Sequence, residues 1–223
     1  LEEKSKKFPE TLDFVELLKK YDGRTPRPVE VAPREPAYFT YTSGTTGPPK
    51  GAMNTHENVV FNAMLYTVFQ KLNDEDVVLG VAPLFHVTGQ VAHLACAAYA
   101  GIPVILFFRF DPEETLKLVE RWKATMTVGS ITVFISLMNH PDIKKRDFST
   151  MKKVFSGGAP VSPAIVESFE KTCGAYIHNI YGLTETNSPS HFTPLGTRLP
   201  VDPVTGARSV GMPAPNTIAK IMD

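Results

Sequence analysis

The sequence has little cysteine and no excess charge of either sign. Its two cysteines, Cys96 and Cys173, lie far apart in apolar surroundings, outside any CxxC or cysteine–histidine cluster. This pattern favours two buried reduced thiols over a disulfide framework, a metal site or a redox site. Lysine plus arginine number 23, as do aspartate plus glutamate. The balance gives no electrostatic reason to expect nucleic acid or an anionic membrane as the main partner, so any phosphate site must be local.

Several motifs and signals are also missing. HExxH and GxSxG patterns are absent, which removes support for a zincin or an α/β-hydrolase. No signal peptide and no N-glycosylation triplet is found. With reduced cysteines, this favours a cytoplasmic location. The sequence leaves open whether the protein forms a homodimer and whether it associates peripherally with membranes.

One long stretch, residues 77–108, contains no aspartate, glutamate, lysine or arginine. It is long enough to span a bilayer. However, Pro83, Gly89, Gly101 and Pro103 divide it into three pieces. We therefore predict a strand, a helix and a strand within a buried core, and no transmembrane segment.

The rest of the chain alternates between strand and helix patterns. Residues 1–36 form a charged, proline-rich lead-in, and the regular pattern begins at residue 37. Predicted strands cover 37–42, 77–82, 102–107, 125–128, 152–155 and 175–181, and predicted helices cover 56–71, 87–100, 112–123, 132–139 and 163–173. This order predicts an α/β fold with largely parallel sheets flanked by helices. Ligands on such sheets bind at the carboxyl ends of strands, where the unusual loops of this sequence are expected to lie.

The first unusual loop is YTSGTTGPPKG, at residues 41–51. Its glycines let backbone N–H groups approach an anion closely, and its hydroxyl side chains and Lys50 add donors and a positive charge. These features suit the β- and γ-phosphates of a nucleotide, although a flexible surface turn has a similar composition. A P-loop NTPase is disfavoured, because Pro49 precedes and Gly51 follows Lys50 where GK[ST] is required.

The same segment closely resembles the phosphate-binding signature of the adenylate-forming superfamily, which includes acyl-CoA synthetases, firefly luciferase and the adenylation domains of peptide synthetases. The resemblance implies a loop that closes over the phosphates of ATP. The residues it assigns to ATP are Thr42, Ser43, Gly44, Thr45, Thr46, Gly47 and Lys50.

A second segment, YGLTET at residues 181–186, resembles the YGxTE motif of that family. The resemblance places Tyr181 on adenine, with Gly182 beside the nucleotide. It assigns Thr184 to the phosphate that becomes the adenylate, and Glu185 to Mg²⁺. The chemistry agrees, because an aromatic face suits a base and Mg²⁺ prefers hard oxygen ligands.

Two further segments resemble family motifs. SGGAP, at residues 156–160, resembles the adenine-binding turn, which assigns Gly158, Ala159 and Pro160 to the nucleotide; a plain strand-to-helix turn is the alternative. PLFHVTG, at residues 83–89, resembles the PxFH segment and places His86 near the acyl carboxylate or at the channel leading to it. Four other histidines match no motif: His93, His140, His178 and His191.

All four segments follow the family's order along the chain. The resemblance therefore implies a ligase that uses ATP and Mg²⁺ to convert a carboxylic acid to acyl-AMP, and then transfers the acyl group to coenzyme A. The catalytic residues it implies are Lys50, His86, Thr184 and Glu185. Such chemistry needs no side-chain nucleophile, because orientation and charge neutralisation around the phosphates supply the catalysis.

The acid itself is less defined. Val133, Phe134, Leu137 and Met138 either line an apolar tunnel or form part of the core. We expect a medium- or long-chain fatty acid, then an aryl acid, with an amino-acid-activating domain or a non-catalytic nucleotide-binding fragment as alternatives. The resemblance also implies that residues 37–223 are a partial AMP-binding domain. The ribose-binding aspartate and the small C-terminal domain with its catalytic lysine are not found, so we expect this chain alone to be inactive.

Overall fold

The protein is described here by a computed structural model that covers residues 9–42 and 47–222. The chain divides into two compact units, residues 1–32 and residues 33–223. In the first unit, helix α1 (Phe14–Tyr21) begins where Asp13 Oδ1 accepts hydrogen bonds from the backbone N–H groups of Val15 and Glu16, at 2.8 and 3.0 Å. A capping carboxylate of this kind satisfies N–H groups that the first turn leaves without intrahelical partners.

The second unit opens with a two-stranded antiparallel ribbon, formed by β1 (Pro36–Thr42) and β2 (Lys50–Thr55). The predicted strand at 37–42 is confirmed, but its expected place in a parallel sheet is wrong. Among the described residues, β1 pairs with β2 and with no strand of the larger sheet. The sequence pattern places Lys50 and Gly51 in a loop and does not predict β2.

The remaining strands form one seven-stranded sheet. They are β3 (Val78–Leu79), β4 (Val104–Ile105), β5 (Met126–Gly129), β6 (Lys153–Ser156), β7 (Ile177–Leu183), β8 (Ser188–Phe192) and β9 (Met212–Pro213). Their order is β4-β3-β5-β6-β7-β8-β9. The five strands from β4 to β7 are parallel, and β8 and β9 add an antiparallel edge. The predicted α/β fold with a largely parallel sheet is therefore confirmed.

Helices cover both faces of this sheet. They are α2 (His56–Phe69), a π-helix (Thr88–Ala95) that continues as α3 (Cys96–Ala100), α4 (Pro112–Trp122), α5 (Ile131–Met138) and α6 (Pro163–Cys173), with a short 3₁₀ turn at Ile143–Lys145. Thr55 and Asn58 form a capping box at the start of α2. Asp111 accepts from Glu114 N–H at the start of α4, which has proline at its first position.

Two buried clusters lie on opposite faces of the sheet. One packs α4, α5 and α6 against strand residues that include Leu79, Val154 and Ile177. The other packs α2, the π-helix and α3 against residues that include Val78, Met126 and Phe155. Side chains at consecutive strand positions point to opposite faces, which explains why the strands are apolar almost throughout. Within the described residues, no helix is long and apolar enough to cross a membrane.

Candidate functional site

A cavity of about 680 Å³ opens where the parallel strands end. Its wall combines apolar side chains with the ends of three predicted motifs. The apolar members are Tyr66, Val81, Val87, Phe110, Val128, Val133 and Ile180. The motif residues are His86, Gly158, Ala159, Gly182, Thr184 and Glu185. The structure thus brings three of the four sequence motifs to one cavity, which we call the first cavity.

Thr184 and Glu185 lie on the tight turn that connects β7 to β8. Leu183 and Ser188 pair across the two strands, so the turn consists of residues 184–187. The backbone N–H groups of Thr186 and Asn187 donate to the carbonyls of Leu183 and Thr184, at 3.2 and 3.1 Å. The turn therefore has a defined backbone, with the Glu185 side chain exposed at its tip.

Gly182 makes this turn sterically feasible. A Cβ atom at position 182 would lie 2.4 Å from the carbonyl oxygen of Ser188 and 2.6 Å from Cα of Pro189. The strand pairing also shifts register between Tyr181 and Gly182. A glycine is needed here because the backbone of β8 occupies the space of a side chain.

A second cavity of about 610 Å³ lies beside the first. It is lined by Gly158, Ala159 and Pro160 on one side and by Tyr181 and neighbouring residues of β7 on the other. Gly158 has a φ of +81°, a conformation that L side chains rarely adopt. Five residues line both cavities: Gly158, Ala159, Ile180, Gly182 and Leu183. A planar base against Tyr181 and a phosphate near Thr184 would lie on either side of this shared wall.

His86 lies at the wall of the first cavity, just before the π-helix. Its Nδ1 accepts a hydrogen bond from the backbone N–H of Thr88 at 3.1 Å, and the Thr88 hydroxyl is also 3.1 Å away. The neutral ring then carries its proton on Nε2. A Cβ at Gly89 would lie 2.2 Å from the Pro83 carbonyl oxygen, so the tight path of this segment requires glycine. His86 therefore presents an N–H donor rather than a lone pair.

Part of the predicted phosphate-binding loop, Ser43, Gly44, Thr45 and Thr46, lies outside the described residues. Thr42, Gly47 and Lys50 are described, and none of them lines either cavity. Thr42 and Lys50 pair across the ribbon, and the Thr42 hydroxyl donates to the Lys50 carbonyl at 3.4 Å. The roles assigned to these residues stay predictions.

Strand β1, however, contacts the turn that carries Glu185. The Tyr38 hydroxyl donates to Asn187 Oδ1 at 2.5 Å, and Thr40 Oγ1 donates to Gln90 Oε1 in the π-helix at 3.2 Å. Burial raises the pKa of Tyr38 to about 12, so this phenol is a neutral donor. Thr42 is four residues beyond Tyr38, or about 13 Å along an extended strand. Strand β1 is thus tied to this turn at Tyr38, and its last residue, Thr42, lies further along the ribbon.

Glu185 is the predicted Mg²⁺ ligand. Among residues 9–42 and 47–222, no group of three or more histidine, cysteine, aspartate or glutamate side chains could hold a metal ion. In the same part of the chain, no hydrogen bond or ion pair engages the Glu185 carboxylate. One free carboxylate beside the predicted phosphate-binding residue Thr184 fits Mg²⁺, which keeps several waters and takes one or two carboxylates together with substrate phosphates.

The structure adds one residue that the sequence analysis left without a role. The ring of His191 packs edge-on against the ring of Tyr181, with centroids 5.6 Å apart and planes at 71°. These residues face each other in the β7–β8 pairing, so only the register of the hairpin reveals the contact. His191 therefore fixes the face that Tyr181 offers to the second cavity.

The residues considered for an acid tunnel divide into two groups. Val133 lines the first cavity. Phe134 and Leu137 are fully buried in the core, and Met138 packs against the same cluster. Phe134, Leu137 and Met138 therefore belong to the core, and of the four residues only Val133 lines the cavity.

Known proteins are similar to this chain in sequence and in fold. The chain is 35% identical over 188 residues to a long-chain-fatty-acid–CoA ligase of Bacillus subtilis (strain 168), covering 83% of this chain and 32% of that protein. It is 30% identical over 222 residues to 4-coumarate–CoA ligase 2 of Oryza sativa subsp. japonica, covering 95% and 38%. The chain therefore spans between 32% and 38% of the length of these two relatives.

A solved structure with a similar fold points to the same class of protein as these two relatives. The fold matches O-succinylbenzoate coenzyme A synthetase from Bacillus subtilis, solved with AMP, at a TM-score of 0.73 and 27% identity; the match covers 91% of this chain and 50% of that one. The model of the family described as AMP-binding enzyme matches residues 2–223. This chain belongs to the AMP-binding enzyme family, the adenylate-forming superfamily.

Proposed function

We propose that the protein that carries this chain activates a carboxylic acid with ATP, forming acyl-AMP and pyrophosphate, and then transfers the acyl group to coenzyme A. One observation carries the proposal: the adenine-type turn at 158–160 and the 181–185 segment line two adjoining cavities with a common wall. A nucleotide whose base occupies the second cavity would present its α-phosphate to the first. Family membership and the names of the two relatives, both CoA ligases, support this assignment.

In the first half-reaction a carboxylate oxygen attacks the α-phosphorus and pyrophosphate leaves. Tyr181, supported by His191, holds the base by stacking. The Thr184 hydroxyl donates to the α-phosphate, where negative charge develops. His86 Nε2–H donates to the acid's carboxylate and orients it, and the apolar wall excludes water. Glu185 would hold Mg²⁺, which when bound neutralises phosphate charge. Orientation and preorganised charge supply the rate, so no covalent enzyme intermediate is required.

In the second half-reaction the sulfur of coenzyme A attacks the acyl carbon and AMP leaves. AMP departs as a good leaving group because its phosphate stabilises the negative charge.

The lining of the first cavity supports an apolar acid. Among the described lining residues, Glu185 alone carries a formal charge at neutral pH, and it is assigned to the metal. No second carboxylate is available there to pair with the ammonium of an amino acid. We propose a medium- or long-chain fatty acid, in line with the Bacillus subtilis relative. An aryl acid is the second candidate, because Tyr66 and Phe110 give the wall two aromatic rings and one relative is named for 4-coumarate. The cytoplasmic location stays a prediction.

A screen of acids tests the reaction and the substrate together. The protein that carries this chain would be given ATP, Mg²⁺ and single acids from acetate to palmitate, together with benzoate, 4-coumarate and several amino acids. Release of pyrophosphate before coenzyme A is added measures adenylation alone. We expect the highest kcat/KM for fatty acids of medium or long chain. No release with any acid would contradict the proposed function, and a maximum with an aryl or amino acid would replace the substrate.

A matched pair of lysine variants tests the role of the glycine-rich segment. We expect Lys50→Ala to slow pyrophosphate release by about a hundredfold, as expected when a charge that stabilises the transition state is removed. Lys171→Ala, which removes an exposed lysine from the last turn of α6, is the control and should keep the wild-type rate. An unchanged rate in Lys50→Ala would remove Lys50 from the catalytic residues.

A further inference from the structure

The turn that carries Thr184 and Glu185 ends in an unusual backbone. Asn187 and Ser188 have φ values of +56° and +97°. Asparagine tolerates the left-handed region, but serine rarely enters it, and a φ near +100° is strained for any residue with a Cβ. Strained residues persist only where their surroundings determine the conformation, and they concentrate at functional sites.

Three polar side chains from outside the hairpin determine this conformation. Tyr66 Oη in α2 lies 2.7 Å from Ser188 Oγ, in a fully buried contact. Tyr38 in β1 donates to Asn187 Oδ1 at 2.5 Å, and Asn62 in α2 donates from Nδ2 to the Thr186 carbonyl at 3.2 Å. We call Tyr38, Asn62 and Tyr66 the turn clamp.

Burial differs sharply between the two halves of the turn. Asn187 and Ser188 are 2% and 5% exposed, whereas Thr184 is half-buried and Glu185 exposed. The clamp contacts residues 186–188, by way of the Thr186 carbonyl and the side chains of Asn187 and Ser188. The exposed half carries the two side chains assigned to phosphate and Mg²⁺, and among the described residues no side chain from outside the hairpin holds it. Its position therefore follows from that of the clamped half.

We propose that the turn clamp positions Thr184 and Glu185 for MgATP, with Tyr66 as its central positioning residue. This inference rests on the proposed function. None of the three side chains touches the nucleotide in this assignment; they act by fixing the strained backbone of residues 187 and 188. Through Tyr38 the clamp also ties this turn to β1, the strand that leads into the glycine-rich segment. Both phosphate-binding segments would then share one anchor.

The first test compares two hydroxyl deletions on neighbouring residues of α2. Tyr66→Phe removes the contact with Ser188 and keeps the ring, which packs edge-on against Phe192 at 5.5 Å. Thr67→Val removes a hydroxyl that donates within the helix to the Ala63 carbonyl at 2.9 Å. Calorimetry would measure the affinity of each variant for ATP with and without Mg²⁺. The protein that carries this chain would give kcat for pyrophosphate release and KM for the acid.

We expect Tyr66→Phe to lower the affinity for MgATP and kcat by about tenfold, as for other residues that orient metal ligands. The affinity for metal-free ATP should fall less than that for MgATP, because it depends on Thr184 but not on the Glu185 carboxylate. The KM for the acid should change less than twofold, because the acid is assigned to neither residue. Thr67→Val should leave all four values near wild type. Equal values for Tyr66→Phe and Thr67→Val would overturn the inference.

A second variant distinguishes an effect on the position of the turn from an effect on the stability of the protein. Ser188→Gly relieves the strained φ but leaves the buried Tyr66 hydroxyl without its partner, so the two changes oppose each other and the melting temperature should change little. The affinity for MgATP should nevertheless fall by about tenfold, because the turn loses its anchor. A variant that keeps its stability and its affinity would show that the clamp is only structural. Should the wild type bind ATP neither with nor without Mg²⁺, the proposed function itself fails, and the inference falls with it.

Discussion

The two ends of the parallel strands are built on opposite principles. At the amino ends, Asp76 is 3% exposed and accepts from Lys153 Nζ at 2.5 Å, from Thr125 Oγ1 at 2.7 Å and from Asn73 N–H at 2.9 Å. Lys153 also donates to the Lys71 carbonyl at 2.7 Å. At the carboxyl ends, glycines, cavities and the strained turn replace such packing.

The difference separates stability from function along one sheet. A buried charge must be fully paired, and the Asp76 group meets that requirement with partners at the starts of β5 and β6. Side chains that receive a ligand must instead keep donors and acceptors free, at a cost in stability. We therefore expect changes at the amino ends to affect unfolding alone, and changes at the carboxyl ends to affect nucleotide binding as well.

The largest loss of stability is expected at the amino ends. Asp76→Asn leaves the Lys153 ammonium buried without its counter-charge, which should lower the free energy of unfolding by about 3–5 kcal/mol. Affinity for MgATP, measured well below the melting temperature, should stay at the wild-type value. Denaturant unfolding and calorimetry check the two parts of this prediction.

An exposed ion pair supplies the control for this variant. Asp142→Asn disrupts the pair between Asp142 and Lys145, whose side chains are 38% and 78% exposed. Its effect on unfolding should be small beside that of Asp76→Asn, because solvent screens an exposed ion pair. If Asp76→Asn also weakened nucleotide binding by tenfold, the division of roles between the two ends would be wrong.

A smaller loss of stability, together with a large loss of activity, is expected from Gly182→Ala. The added Cβ would lie 2.4 Å from the Ser188 carbonyl oxygen, so β7 and β8 must move apart. We expect a loss of about 2–3 kcal/mol in unfolding free energy. The displaced Thr184 should slow adenylation by about a hundredfold.

Gly174→Ala is the matched control for the backbone effect. Gly174 ends α6 with a φ of +73°, and an added Cβ meets no atom within 4 Å. The change should cost about 1 kcal/mol and leave adenylation unaltered. Wild-type adenylation by Gly182→Ala would show that the close approach of the two strands is not needed at the site.

The third expected effect is a dependence of stability on pH. It comes from a residue that lies between the two ends of the parallel strands. His93 in the π-helix is fully buried, and burial lowers its pKa to about 4, although its Nε2 bonds the Val128 carbonyl at 3.0 Å. Because the unfolded histidine binds a proton near pH 6.5, stability falls as the pH drops through the interval between these two values. The loss from pH 7 to pH 5 should be about 2 kcal/mol from this residue.

His93→Gln tests this assignment, because a glutamine amide can still donate to the Val128 carbonyl but takes up no proton. Unfolding curves at pH 7, 6 and 5 should show a shallower decline for the variant than for wild type. His178 contributes in the same direction, because burial lowers its pKa too, so some decline remains. Parallel curves for the two proteins would exclude His93 as a source of the pH dependence.

The sequence predicts the central sheet well and its edges poorly. Strands such as Met126–Gly129 and Lys153–Ser156 are short apolar runs bounded by helical patterns, so hydrophobic periodicity locates them. The alternation in AYFTYT correctly indicates a strand, but a two-residue period carries no information about the pairing partner. Only the structure therefore shows that this strand belongs to a separate ribbon.

The missed strands have a physical reason as well. Strands β2 and β8 contain residues with poor strand propensity, including Gly51, Asn54 and Pro189. Their pairing partners hold them in place, so tertiary context outweighs local preference. The four motifs are identified by their resemblance to the family, because residue types alone leave a flexible surface turn or a plain strand-to-helix turn as alternatives, and the roles of their residues stay predictions. The turn clamp could not be predicted from the sequence, since Tyr38 and Asn187 are 149 residues apart.

The π-helix makes the length of one segment critical. In an ordinary helix each residue turns the chain by about 100°, so the wider coil at Thr88–Ala95 accommodates an additional residue in its course. Removing a single residue there would let an ordinary helix form, and the residues that follow would keep roughly their phase against the sheet. The side chains within the segment would change their positions around the helix axis, so Gln90 would leave Thr40 or His93 would leave Val128. The additional residue therefore serves these two contacts rather than the register of the later residues with the sheet.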